Sequence, residues 1–255
     1  MELTALMEAL KPVVREAGRK ILEVYQKGAD ASFKADGSPV TEADKAAEAV
    51  ILPALAQLAP DIPVVSEESA DSHRLAASER FFLVDPLDGT KEFLKRDGKG
   101  SYTVNIGLIE NGVPVAGLVF APALDRLFVG VVGAGASESC AGVERPIAVR
   151  TVGSEGRVAV ASASHRDAET DAWLGARGIT NTVSIGSSLK FCLVAAGEAD
   201  VYPRFGPTME WDTAAGDAVL RAAGGDVKLP SGETMGYGKP EYRNGSFIAW
   251  GDLSE

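Results

Sequence analysis

Residues 80–95 read Arg-Phe-Phe-Leu-Val-Asp-Pro-Leu-Asp-Gly-Thr-Lys-Glu-Phe-Leu-Lys. Arg80 to Val84 predicts an apolar strand that delivers Asp85 to its C-terminal end. Pro86 predicts a turn there, and Asp88 returns three residues on, so that the two carboxylates converge. Leu87 lies between them with its backbone carbonyl turned to join them. Two carboxylates and a carbonyl suit a hard cation such as Mg²⁺, which takes oxygen ligands. Gly89 permits close backbone approach, and Thr90-Lys91 predicts a helix start whose free N–H groups face an anion. Metal ligands beside an anion-binding turn point to phosphate chemistry. By itself the segment fits a plain surface turn equally well, since Asp, Pro and Gly dominate turns.

Three further acidic segments change that balance. Val64-Val65-Ser66-Glu67-Glu68-Ser69 sets two carboxylates at the end of another predicted strand. Glu210-Trp211-Asp212-Thr213-Ala214-Ala215-Gly216 opens an apolar helix, where Asp212 alone would read as an N-cap. Thr41-Glu42-Ala43-Asp44 resembles a capping box with Asp in the place usually held by Glu or Gln.

Around these lies an α/β chain. Leu3, Leu6, Leu10, Val14, Ala17, Ile21 and Tyr25 predict an amphipathic helix that Pro12 kinks or restarts and Gly28 ends. A second helix is expected from Thr41 to Leu58, interrupted at Pro53. Strands follow at 62–66, 80–84, 102–109, 113–120, 127–132 and 146–149, with Asn111-Gly112 as a hairpin signal. After residues 153–156 strands at 157–161, 182–185, 201–205 and 247–250 alternate with helices at 168–176, 187–196 and 213–223. We therefore expect residues 1–154 to form a helix pair with an antiparallel metal-loop sheet, and 155–255 an α/β substrate-binding half.

Composition closes off other classes. With 45% apolar and 24% charged residues, the chain is neither disordered, collagenous nor coiled coil. A net charge of −11 argues against nucleic-acid partners. The uncharged apolar runs are too short to span a bilayer and no secretory signal opens the chain, so a cytoplasmic enzyme is expected. Peripheral association with the inner membrane and the choice between monomer and homodimer stay open. Cys140 and Cys192 form no disulfide framework or zinc signature and read as reduced.

Glu67-Glu68, Asp85-Pro86-Leu87-Asp88-Gly89-Thr90 and Trp211-Asp212-Thr213-Ala214-Ala215-Gly216, in that order, resemble the signatures of the inositol monophosphatase-like Mg²⁺-dependent phosphatases. Thr103–Ile106, the 184–192 segment SIGSSLKFC and the 202–208 segment YPRFGPT narrow the resemblance to the CysQ-type 3'(2'),5'-bisphosphate nucleotidases. That similarity implies a layered α-β-α-β-α sandwich. It also implies two Mg²⁺ ions, one on Glu67, Asp85 and the Leu87 carbonyl, the other on Asp85, Asp88 and Asp212. Glu68 would support the ligands or serve a third ion. Thr90 and Asp44 would orient the attacking water, and the Gly89 and Thr90 N–H groups would cradle the scissile phosphate. His165, Ser187, Lys190 and Arg204 would contact the nucleotide, alongside Glu67, Leu87, Asp88 and Asp212. Lithium sensitivity and a place in sulfur assimilation are implied by resemblance alone.

The reaction so implied removes the 3'-phosphate of adenosine 3',5'-bisphosphate, giving AMP and phosphate. Lys190 and Arg204 favour a substrate with a second phosphate, since that group needs cations beyond the metals. Within the family, an inositol monophosphatase or a fructose-1,6-bisphosphate phosphatase is the alternative. A haloacid-dehalogenase-type phosphatase fits less well: its two aspartates lie two residues apart on one strand face, whereas here the gap is three and Pro86 intervenes. A Ca²⁺-binding module would use the carboxylates but has no need of a Gly-Thr turn aimed at an anion.

Overall fold

The computed structural model describes residues 2–28, 32–33, 39–74, 78–96, 98–162 and 166–252. Helix α1 (Leu3–Lys27) buries Leu6, Leu10, Val14, Ala17 and Ile21 along one stripe, and Gly28 ends it at φ 83°. Each of the buried Leu, Val and Ile side chains contributes roughly 1.5–3 kcal/mol. That stripe overrides the break expected at Pro12, which lies inside one continuous helix. Pro12 is exposed, so water can satisfy the carbonyl that its missing N–H leaves without a donor. A two-residue pair, β1 (Ser32–Phe33) and β2 (Pro39–Val40), leads into α2 (Glu42–Leu58), which packs on α1. The helix runs unbroken through Pro53, exposed for the same reason.

The first sheet has seven strands in chain order. They are β3 (Val64–Ser66), β4 (Arg80–Asp88), β5 (Thr103–Glu110), β6 (Val113–Ala121), β7 (Arg126–Val131), β8 (Gly135–Cys140) and β9 (Val143–Ile147). Only the β3–β4 pairing is parallel. Helix α3 (Thr90–Lys95) lies between β4 and β5. Asn111 and Gly112 both take positive φ, 51° and 76°, as a two-residue hairpin turn demands.

The second sheet forms from β10 (Val158–Ser162), β11 (Asn181–Ile185), β12 (Val201–Arg204), β14 (Asp226–Lys228) and β16 (Phe247–Trp250), in the order β11-β10-β12-β16-β14. A short pair, β13 (Thr208–Met209) and β15 (Arg243–Asn244), stands beside it. Helices α4 (Ala168–Ala176), α5 (Leu189–Ala195) and α6 (Ala214–Ala222) complete this half.

Five layers result. The α1/α2 pair covers one face of the seven-stranded sheet, while α5 and α6 fill the space between the two sheets. Leu174 of α4 packs with Ala159, Val201 and Ile248 on the outer face of the second sheet. This is the α-β-α-β-α order the resemblance implies. The close fit of α6 depends on Gly117 of β6, where a Cβ would sit 2.5 Å from the Ala215 carbonyl oxygen. Both sheets contribute to the cluster around Phe191 and Phe247, so they share one core. Among the described residues no helix is long and apolar enough to cross a membrane.

Candidate active site

Strand β4 does not end at Val84, and Pro86 makes no turn. Asp85 pairs with Asn105 and Asp88 with Thr103: three steps along β4 against two along β5. One extra residue is therefore accommodated as a bulge. In a regular strand, side chains three apart point to opposite faces, and the added residue is what lets Asp85 and Asp88 serve one site. Pro86, with no N–H for the ladder, is tolerated at such an irregularity. The Leu87 N–H donates to Asp85 Oδ1 at 3.0 Å, and the Leu87 carbonyl accepts from the Thr90 hydroxyl at 3.2 Å. Gly89 follows at φ 90°, the left-handed conformation that starts α3.

Glu67 follows β3, its N–H donating to the Val84 carbonyl at 3.0 Å. Asp212 closes a 3-10 turn over Glu210–Asp212, and its Oδ2 accepts the Met209 N–H at 2.8 Å. It does not cap α6, whose N-cap is Thr213. Glu67, Asp85 and Asp212 each offer an oxygen within 4.8 Å of the others. Asp88 lines the same cleft but stands outside that close group, its carboxylate accepting the Ser188 N–H. Glu68 is in neither the group nor the cleft lining.

The electrostatics follow from the crowding. Burial pushes the Asp85 carboxyl well up, and the charges of Glu67, Asp88 and Asp212 push it further. Burial likewise raises Asp212 well above the carboxylate range, with Asp88 and Glu67 adding to it. Asp88 is raised by burial to about 6, with Lys190 and the Ser188 N–H holding it back. A crowded, largely half-buried all-oxygen donor set whose members repel one another fits a hard divalent cation, which removes that repulsion.

Asp44 is buried and does two jobs with two oxygens. Oδ2 accepts the Thr41 N–H at 2.7 Å and the Thr41 hydroxyl at 2.8 Å, completing the capping box of α2. Oδ1 lies 3.4 Å from the Thr90 hydroxyl, at the edge of the cleft. Burial raises the Asp44 carboxyl, opposed by the Thr41 donors.

The cleft encloses about 230 Å³, and Glu67, Asp88, Gly89 and Thr90 are among the residues that line it. The buried Lys190 also lines the cleft; its Nζ donates to the Ser187 carbonyl at 2.5 Å and sits 5.0 Å over the Tyr202 ring. Burial lowers this ammonium to about 8, with Asp88 opposing the drop. The Arg204 guanidinium is braced on the Gly206 and Pro207 carbonyls at 3.1 and 3.2 Å. Ser187 takes φ 54°, and its Oγ accepts the Leu189 N–H at 3.3 Å at the start of α5. His165 lies outside the described residues.

The same cleft is lined by Ser162, Glu92, Tyr202 and Thr208, to which sequence inspection gives no role. Ser162 is the last residue of β10, a strand end like the one that presents Glu67. Glu92 sits in the first turn of α3, close to Gly89. Those two positions carried a usable signal.

Comparison with known proteins identifies the family. The profile of the inositol monophosphatase family matches residues 2–252. The 3'(2'),5'-bisphosphate nucleotidase CysQ of Shigella flexneri is 48% identical over 235 residues, covering 91% of this chain and 94% of that protein. The CysQ nucleotidase of Escherichia coli K12 is 47% identical over the same coverage. Among solved structures, CysQ from Bacteroides thetaiotaomicron, described as a bacterial member of the inositol monophosphatase family, superposes with a TM-score of 0.82. It shares 37% identity, with 97% of each chain covered.

Proposed function

The chain belongs to the inositol monophosphatase family, and from that premise we propose that it is a Mg²⁺-dependent 3'(2'),5'-bisphosphate nucleotidase. The observation that carries this reading is the meeting of Glu67, Asp85 and Asp212, from three separate segments, at a cleft also lined by the buried cations Lys190 and Arg204. The substrate class is a small nucleotide with two phosphates, adenosine 3',5'-bisphosphate being the type case, and hydrolysis of its 3'-ester yields AMP and phosphate.

Glu67, Asp85 and the Leu87 carbonyl would hold one Mg²⁺, and Asp85, Asp88 and Asp212 a second. When bound, the cations supply charge neutralisation for the phosphoryl group and lower the pKa of the attacking water. The Thr90 hydroxyl directs its hydrogen to Asp44 or to the Leu87 carbonyl, so its lone pairs are left to accept a hydrogen bond from that water. Asp44 then stands behind Thr90 as the proton acceptor. Gly89 and Thr90 border the space for the scissile phosphate. Ser187, Lys190 and Arg204 hold the second phosphate, which is what separates a bisphosphate nucleotidase from an inositol monophosphatase or a fructose-1,6-bisphosphate phosphatase. His165 is proposed as a nucleotide contact on resemblance alone. Water is the nucleophile throughout, and no covalent enzyme intermediate is needed.

The test is phosphate release from adenosine 3',5'-bisphosphate, inositol 1-phosphate and fructose 1,6-bisphosphate, each with Mg²⁺ and with chelator. The expected result is Mg²⁺-dependent release with the nucleotide preferred. Preference for either sugar phosphate overturns the substrate assignment, and release undiminished by chelator overturns the metal assignment.

A further inference from the structure

His73 touches the residue that precedes each of two candidate metal ligands. It lies in the 3-10 turn Ser72–Arg74. Its Nε2 is 2.8 Å from the Ser66 carbonyl oxygen, and since a carbonyl only accepts, that nitrogen carries the proton. The ring stacks on Trp211, with centroids 4.7 Å apart and planes 24° from parallel. Ser66 immediately precedes Glu67, and Trp211 immediately precedes Asp212.

Both partners are firmly seated. The Ser66 N–H donates to Ser72 Oγ at 3.1 Å, and the Ser66 hydroxyl donates to Glu48 at 2.5 Å. Trp211 is buried, with Tyr242 beside it at 6.5 Å between centroids. Asp85 is already fixed relative to Glu67 by the β3–β4 ladder. Asp212 arrives from the other end of the chain, and its carboxylate repels the other two.

We propose that His73 is a positioning residue that clamps the Glu67 segment to the Asp212 segment and thereby sets the affinity of the cleft for divalent cations. The inference deepens the metal-site reading and rests on it. The carboxylates hold a cation well only if their repulsion cannot splay them beforehand. One imidazole, bonded to the residue before one ligand and stacked on the residue before another, supplies that restraint. Removing a group that orients metal ligands commonly lowers metal affinity 10–100-fold.

The experiment is calorimetric titration of Mn²⁺, as a reporter for Mg²⁺, into the wild type, His73→Ala, His73→Phe and the control Asp85→Asn. Thermal melts in chelator show that each is folded. His73→Ala is expected to bind at least about tenfold more weakly and to need correspondingly more Mg²⁺ for half-maximal activity. His73→Phe keeps the stack, loses the Ser66 contact, and is expected to fall between. Wild-type affinity in both variants overturns the proposal. Should His73→Ala fail to fold, His73→Phe alone decides, weakened binding supporting the clamp and wild-type binding overturning it. The control separates the two levels: Asp85→Asn that binds Mn²⁺ like the wild type refutes the metal site itself.

Discussion

Two groups of buried carboxylates in this molecule meet opposite fates. Asp200 is gripped by Arg150 through two bonds of 2.8 Å and accepts the Val158 N–H at 2.6 Å, while Glu138 lies between Arg126 and Arg145 at 2.5 and 2.6 Å. Burial alone would raise both, but their guanidinium partners more than offset it, and both carboxyls end below the usual range. In the cleft, the charges bearing hardest on Asp85 belong to other carboxylates, and it ends far above that range. The chain thus supplies its own counter-ions where a carboxylate is structural. In the cleft the carboxylates crowd one another, an arrangement that a bound divalent cation would relieve.

The largest expected effect tests the cleft side of this contrast. Asp88→Asn preserves volume and removes one negative charge, so kcat should fall about 1000-fold or more, the equivalent of about 4 kcal/mol, with the fold intact. Steady-state kinetics beside a circular dichroism spectrum check it, and near-wild-type turnover would remove Asp88 from the ligand set. The structural side behaves the other way. Asp200→Asn leaves Arg150 without its charge partner and should cost about 2 kcal/mol, lowering Tm by roughly 4–8 °C in a chain of this size. Its kcat per folded molecule should be unchanged.

Acid and base separate the groups next. The Asp88 carboxyl, raised to about 6, favours the folded state when protonated, so its contribution is present below the ordinary value near 4 and lost as pH rises through 6. Asp200 and Glu138, held low, contribute at neutral pH and lose that contribution as pH falls below 4. In chelator, folding stability should therefore peak near pH 5 and decline toward pH 7, by on the order of 2 kcal/mol. Saturating Mg²⁺ should remove the cleft's share of the decline and leave the share of Asp217, which burial raises to about 6 beside Arg221; a decline unchanged by Mg²⁺ would place its whole source outside the cleft. The smallest effect concerns the cationic wall. Lys190→Ala should raise KM for a 3',5'-bisphosphate about tenfold more than KM for a monophosphate. Equal increases would take Lys190 away from the second phosphate.

Much of the architecture was legible because its signals are local. The α1 stripe, the Asn111-Gly112 hairpin and the α4 span at 168–176 all follow from periodicity or turn chemistry within a few residues. Strand β8 escaped because Gly-Ala-Ser-Glu-Ser-Cys carries no apolar alternation; its inward Glu138 is made tolerable by arginines on β7 and β9. Pro12 and Pro53 misled for the opposite reason, since packing of the rest of each helix outweighs one lost hydrogen bond. In the site, the residues came from motifs, but the device that converges Asp85 and Asp88 did not. A turn was expected from Pro86, and only the register against β5 reveals a bulge. The two contacts of Asp44 were equally hidden, because the capping box and the bond to Thr90 share one carboxylate, and sequence offers capping and catalysis as rivals.

The central claim is that the cleft carboxylates are left unneutralised for a cation, and the thermal stability of Asp85→Asn against wild type, in chelator and in Mg²⁺, tests it most directly. The account predicts that without metal the variant melts above the wild type, because a repelled buried charge is gone, while Mg²⁺ stabilises the wild type and leaves the variant unmoved. A variant that melts lower than metal-free wild type and is stabilised equally by Mg²⁺ would contradict it.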